Sequence, residues 1–311
     1  MVATFVSELG KKLAERWVTL LVLPGALYLA VLTTARVLGH GHALDLTRLA
    51  PWLTATAASP AVGSVGGQVV LAAGVLGAAA ALGVVAQATG TALERMALAV
   101  GWQDLPTPLR RPVHRWVGSR RDRWRAVAAQ WDRLRSQDVA AAAAGNRNDP
   151  APRRDALRAM RRVAVERPER PTWSGDRLHG VAVRLERDLG VDVARCWPPL
   201  WLLLPEDVRA ELTAARANLA RAAALGGWAV LYAPLAYWWW PALPVAVVMA
   251  LVSWRRIRAA TEIWAQMLEA ACRLHLRELA ERLGVDTSGP PVGIGQEVTR
   301  LLEGTPPRPP F

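Results

Sequence analysis

The sequence predicts an all-α integral membrane protein, with four transmembrane helices and a helical cytoplasmic domain inserted between the second and the third. Three observations carry that expectation. Long uncharged runs alternate with charged stretches: residues 222–254 hold no charged side chain, whereas residues 91–221 hold 25 basic and 16 acidic ones. Outside those runs, apolar residues recur at three- and four-residue steps, the period of a helix with one buried face. The short basic flanks all fall on one side if there are four crossings, as expected for cytoplasmic flanks.

The first crossing is WVTLLVLPGALYLAVLTTA, Trp17 to Ala35. Nineteen uncharged residues make roughly 28 Å of helix, close to the roughly 30 Å hydrocarbon layer. The run is too long for the apolar part of a signal peptide, and Arg36 follows it, so a retained anchor is expected. The second crossing centres on Val69 to Ala86, almost entirely Ala, Gly, Val and Leu. Small residues four apart, Gly63 and Gly67, then Ala73, Gly77 and Ala81, allow close approach of helix backbones and are the expected packing positions. The Ala222–Trp254 run would be about 50 Å long as one helix, so it reads as a hairpin turning at Trp238–Trp239–Trp240 and Pro241. Its second arm has only 13 uncharged residues, Ala242 to Trp254, so a shallow or re-entrant hairpin is the alternative to full crossing.

The chain then divides into a two-helix membrane part (1–90), a cytoplasmic helical domain (91–221), the hairpin (222–256), an amphipathic cytoplasmic helix (257–284) and a mostly disordered tail (285–311). Both termini are expected in the cytoplasm, with the bilayer being the inner (plasma) membrane. Within 91–221, DLPTPLRRPVHRW reads as a proline-broken connector. Helices are expected over 121–144, 153–165 and 176–189, the last with Ser174 as a possible cap and Gly190 closing it. The apolar run in VDVARCWPPLWLLLP is too short to cross and reads as core, short strand or interfacial segment. Pro205, Glu206 and Asp207 suit a first helical turn, and that helix is expected to run straight into the third crossing. Ala242 onward could form one helix of roughly 40 residues, ending at Gly284.

The chain carries 38 basic and 26 acidic residues, net +12, and all the basic ones but Lys11 and Lys12 are Arg. With so much Ala beside it, the Arg excess reads as compositional bias. A soluble nucleic-acid binder would not also carry the uncharged runs, so no nucleic-acid partner is expected. Arg110, Arg111, Arg115, Arg120 and Arg121 are expected at the inner surface facing anionic lipid phosphates. No nucleotide loop, nucleophile elbow or metalloprotease helix occurs, and the two cysteines form no C-x-x-C pair, so enzyme activity is not indicated. His40 and His42 with Asp45 make too thin a donor set for a metal, and no cofactor is implied. One turn, PTWSGDRLHG, gathers Trp173, Asp176, Arg177 and His179, which could hold a ligand or a lipid headgroup if they do not simply dock a helix.

In its Arg- and Ala-rich style, and in the stretches WPPLWLLLP (197–205) and PTWSGDR (171–177), the chain resembles uncharacterised multi-pass membrane proteins of actinobacteria over most of its length. The resemblance implies no activity and transfers no functional residue. The leading expectation is a membrane-anchored scaffold or interaction protein, with a cytoplasmic protein partner or a second copy. The alternatives are an oligomeric channel and a membrane enzyme acting on lipid.

Overall fold

A computed structural model describes residues 22–58, 63–104 and 106–303. The start of the first expected crossing, Lys11, Lys12, Arg16 and the GTPPRPPF end lie outside them. The described residues are all-α, with no strand: α1 Leu23–Leu38, α2 Leu49–Ala57, α3 Val65–Ala97, α4 Thr107–Ala143, α5 Ala151–Val163, α6 Trp173–Leu189, α7 Val193–Leu203, α8 Glu206–Tyr232, α9 Ala242–Arg282 and α10 Pro291–Glu303. Two helical stretches, Val65–Ala97 and Glu206–Tyr237, are long and apolar enough to cross a membrane. α1 is apolar but has 16 residues.

Two compact units result. One consists of the described residues up to Glu94 with Ala220–Arg256, the other of Arg95–Leu219 with the described residues from Ile257 on.

The first unit is packed by glycine against backbone. A Cβ on Gly25 of α1 would lie 2.0 Å from the carbonyl oxygen of Ala79 on α3. On Gly227 of α8 it would lie 2.1 Å from that of Ala86, and on Gly90 it would lie 2.7 Å from Ala224 Cα. The buried stripe of α3 is therefore Ala79, Gly83, Ala86 and Gly90. The expected packing positions lie on another face of α3, which no described residue covers. Ala73, Gly77 and Ala81 are exposed, and nothing lies within 4 Å of a Cβ built on Gly63 or Gly77. Tyr28 stacks edge-on against Tyr232 at 5.2 Å and donates its hydroxyl to Leu231 O. At the tryptophan turn, Trp239 Nε1 donates to Ala43 O, and Arg36 lies 4.6 Å above the Trp238 ring. Ser253 of α9 donates to Ala222 O of α8.

The second unit has its core where α6, α7, α9 and α10 meet, around Val181, Leu185, Cys196, Leu200, Leu279 and Val298. α6 and α9 lie side by side with a constant offset. Arg177 pairs with Glu262, Arg184 with Glu269 and Asp188 with Arg273, each pair 85 residues apart. A constant difference means parallel helices, and the steps of seven and four are those of a coiled-coil seam.

Two expectations change here and one narrows. The proline-broken connector is the first turns of α4, which starts at Thr107. Pro106 caps it and Pro108 sits in its first turn, where the missing N–H costs nothing, so only Pro112 removes a helical bond. Of the readings open for the WPPLWLLLP stretch, core fits and strand does not: it lies largely in α7, with Leu200 and Leu204 buried, and Asp192 caps the helix with a carboxylate that accepts from Ala194 N. The tail expected to be mostly disordered contains α10, with Ile294, Gly295 and Val298 buried. A side chain at Gly295 would meet Leu189 O at 1.9 Å, so glycine there lets α10 close on the end of α6.

Candidate functional site

The 171–180 turn sits at a junction of four chain segments. Residues 164–172 run without helix between α5 and α6, because Pro168 and Pro171 interrupt any regular pattern. Their carbonyls still need donors. α4 supplies them from one face: Trp116, Arg120, Arg121 and Trp124 stand at i, i+4, i+5 and i+8. Trp116 Nε1 donates to Pro171 O at 2.9 Å and Arg121 Nε to Pro168 O at 2.8 Å. Trp124 Nε1 donates to Ala164 O at 3.2 Å, and Arg120 to the carbonyls of Arg170 and Val163.

Asp176, in the first turn of α6, ties the other side. Its Oδ1 accepts the backbone N–H of Glu169 at 2.8 Å and of Arg170 at 2.7 Å. Its Oδ2 lies 2.6 Å from Arg120 Nη1, both side chains being more than nine-tenths buried. Burial pushes the Asp176 carboxyl up, against the pull of those two amides and of Arg120. The cap of α6 is Thr172 rather than Ser174. Its hydroxyl accepts from Gly175 N at 3.1 Å and donates to Ala97 O at 2.6 Å, so one oxygen closes the start of α6 and the end of α3. The chain leaves α3 through buried Ala99 at φ +52, a left-handed conformation rare for alanine.

The four expected site residues are therefore brought together, but face different ways. Arg177 is 5% exposed and grips Glu262 with two nitrogens, at 2.7 and 3.0 Å. Trp173 donates to Arg161 O and lies beneath Arg258, whose guanidinium is 4.3 Å from the ring centroid. His179 is 2.9 Å from Glu169, on the wall of a polar recess of about 180 Å³ lined also by Trp102, Asp104 and Arg170. Of the four, only His179 lines that recess; Asp176 and Arg177 are enclosed by their partners. Among the described residues, no group of three or more His, Cys, Asp or Glu side chains is arranged to hold a metal.

The five arginines expected at a lipid surface separate in the same way. Arg110, Arg111 and Arg115 are exposed. Arg120 is buried on Asp176, and half-buried Arg121 holds Pro168, so both belong to the tether and not to a surface. Sequence reasoning found Asp176 and Arg120 separately but not as a pair. The available signal was the i, i+4, i+5, i+8 spacing of donors on α4 facing a proline-rich segment that has none of its own to give at Pro168 and Pro171.

No family model, no curated protein and no solved structure matches the chain.

Proposed function

We propose that this protein is a membrane-anchored interaction protein of the inner membrane: four crossings, both termini cytoplasmic, and a helical cytoplasmic module at about residues 91–221 completed by 257–284. One observation carries the membrane part. The most apolar 18-residue window of α3 is only 17% buried within the chain, leaving Val69, Val70, Leu71, Val75 and Leu76 exposed. An apolar face of that size needs lipid or another protein against it.

The ion-pair ladder supports a folded helical module. Arg120–Asp176, Arg177–Glu262 and Arg184–Glu269 join helix to helix, and buried charges so paired are structural in effect. Exposed Arg110, Arg111 and Arg115 would rest on anionic lipid, and the exposed faces of α4 and α5 would meet a cytoplasmic partner. The test is reconstitution: the purified protein in liposomes should show no ion flux, and the soluble partner it retains should be lost when α4–α5 surface residues are exchanged. Flux through a defined ring of subunits would replace this reading with that of a channel. The open Ala73–Gly77–Ala81 stripe favours that second reading, since it offers a close-packing face to another copy.

A further inference from the structure

We propose that the outer face of α5 docks an acidic helix of a cytoplasmic protein, its carboxylates set at seven-residue steps against Arg154 and Arg161; this rests on the interaction reading above and names the chemistry of the partner.

The positive charge of the chain is concentrated. Residues 107–163, which are α4, α5 and the turn between them, hold 15 arginines and five acidic residues, a net +10 out of +12. Compositional bias alone would spread the excess along the chain. Elsewhere in the second unit the arginines are matched: Arg177 faces Glu262, Arg184 faces Glu269 and Arg273 faces Asp188. On α5 they are not. Arg154, Arg158, Arg161 and Arg162 are exposed and stand at i, i+4, i+7 and i+8, on one face of the helix. The opposite face carries Ala156, Met160 and Val163, buried or half-buried. Arg158 pairs with Asp155 at the edge of the row. Arg154, Arg161 and Arg162 have no carboxylate partner among the described residues. Arg153 bound to Asp138, and Trp173 Nε1 donating to Arg161 O, hold both ends of α5, so the row is fixed before a partner arrives.

Two features define the occupant. The first is spacing. Arg154 and Arg161 are seven residues apart, as are Arg177 and Arg184, which meet Glu262 and Glu269, also seven apart, on the parallel helix α9. α5 repeats the basic half of that ladder with no acidic half against it. A helix with carboxylates at seven-residue steps completes it, each guanidinium fork taking both oxygens of one carboxylate. The second is what the face lacks. Among the described residues, α5 has no large exposed apolar side chain and α4 adds only Trp116 and Val139, so the hairpin has little to sink into a bilayer. Arg123 lies over the Trp116 ring and Arg135 over that of Trp131, and Trp124 is held to Ala164 O. These rings are engaged within the chain rather than offered to nucleic-acid bases. Asp155 beside the row repels a phosphate backbone, whereas an acidic protein helix can set a lysine or arginine against it.

The experiment uses the full chain in phosphatidylcholine nanodiscs and two fluorescent alanine-based helical peptides of equal composition. One carries glutamates along a single face at seven-residue steps; the other has them spread around the helix. Binding is read by anisotropy at low ionic strength, where exposed charges are least screened. The matched peptide should bind about tenfold more tightly than the permuted one, the effect of two exposed ion pairs. Arg154→Gln with Arg161→Gln should erase that preference while the circular dichroism spectrum is unchanged. Arg277→Gln with Arg282→Gln, the same loss of charge at exposed positions of α9, should keep it. Equal binding of both peptides by the wild type overturns the proposal, as does a preference that survives the Arg154 and Arg161 changes. Tighter binding of a DNA duplex or of phosphatidylglycerol vesicles that is lost with Arg154 and Arg161 overturns it too, as does a dimer of the chain lost with the same two residues. Failure of the matched peptide, with the soluble partner still released on exchange of α4 residues, overturns the acidic helix and leaves the interaction reading standing; failure of the peptide with no partner retained overturns both.

Discussion

Replacing Asp176 by alanine removes the node on which the second unit is tied. The carboxylate holds two backbone amides and the charge of Arg120, and the Asp176 and Arg120 side chains are 3% and 8% exposed. Without it, Arg120 keeps its charge in a dry site with only the carbonyls of Arg170 and Val163. Removing one partner of a buried pair costs about 3–5 kcal/mol. The two amides cannot be added in full, because water can reach them once the segment loosens. For a cooperative unit of this size, that loss lowers Tm by roughly 6–20 °C. The control is Asp155→Ala, which breaks the Arg158 pair, 69% exposed on both sides; such surface pairs contribute less than about 1 kcal/mol. The assay is thermal unfolding of the full chain in nanodiscs, followed by tryptophan emission, with hydrogen exchange of residues 163–176 as the local readout. Asp176→Asn keeps an acceptor and should fall between. Equal Tm values for the Asp176 and Asp155 variants, with unchanged exchange at 163–176, would refute the tether.

Further outcomes follow from the same geometry. Gly227→Val should destabilise the α3–α8 packing by about 1–3 kcal/mol or more, because its Cβ would lie 2.1 Å from Ala86 O. Gly77→Val should leave monomer stability unchanged, and size-exclusion profiles with melting curves of the two variants check the contrast. Burial pushes the Cys272 thiol up to about 12 and raises that of Cys196, so neither should react with maleimide in the folded protein. Modification of either within minutes at neutral pH would contradict their place in the core. Burial raises the Glu262 and Glu269 carboxyls, but the bonds and charge of Arg177 and Arg184 outweigh it and hold both below the ordinary 4.5. A folded value below the unfolded one gives stability that is present above about pH 4.5 and lost as pH falls through the folded value. Acid should therefore loosen α6 from α9, seen as a tryptophan emission shift below pH 4.5 that Glu262→Gln weakens.

Much of the helical order was legible because its signals are local. Gly190 closes α6 with φ +69, and Pro205 with Glu206 and Asp207 opens α8. The 41 residues of α9 follow from an unbroken run ending at Gly284. What was missed depends on partners far along the chain. Nearly every face of α3 carries small residues at four-residue steps, so its pattern could not tell Ala73–Gly77–Ala81 from Ala79–Gly83–Ala86–Gly90. Only the glycines of α1 and α8 decide which face is covered. The first turns of α4 read as a connector because three prolines cluster there, where two of them are harmless. α10 carries two glycines, Gly293 and Gly295, that weaken its helical pattern, yet Gly295 is what admits the helix to Leu189. At the site, Asp176 and Arg177 stand out by type, but their partners Arg120 and Glu262 are 56 and 85 residues away, and the donor spacing on α4 marks only the first of them.

The central claim, a four-crossing anchor with a cytoplasmic helical module, is tested most directly by labelling single introduced cysteines in intact cells with a membrane-impermeant maleimide. Gly41→Cys, Trp240→Cys, Ser136→Cys and Ser288→Cys all place the thiol at exposed positions, and the two native thiols are buried. Positions 41 and 240 should label from outside, and 136 and 288 only after the membrane is opened. Labelling of Ser136→Cys in intact cells, or of all four positions alike, would contradict it.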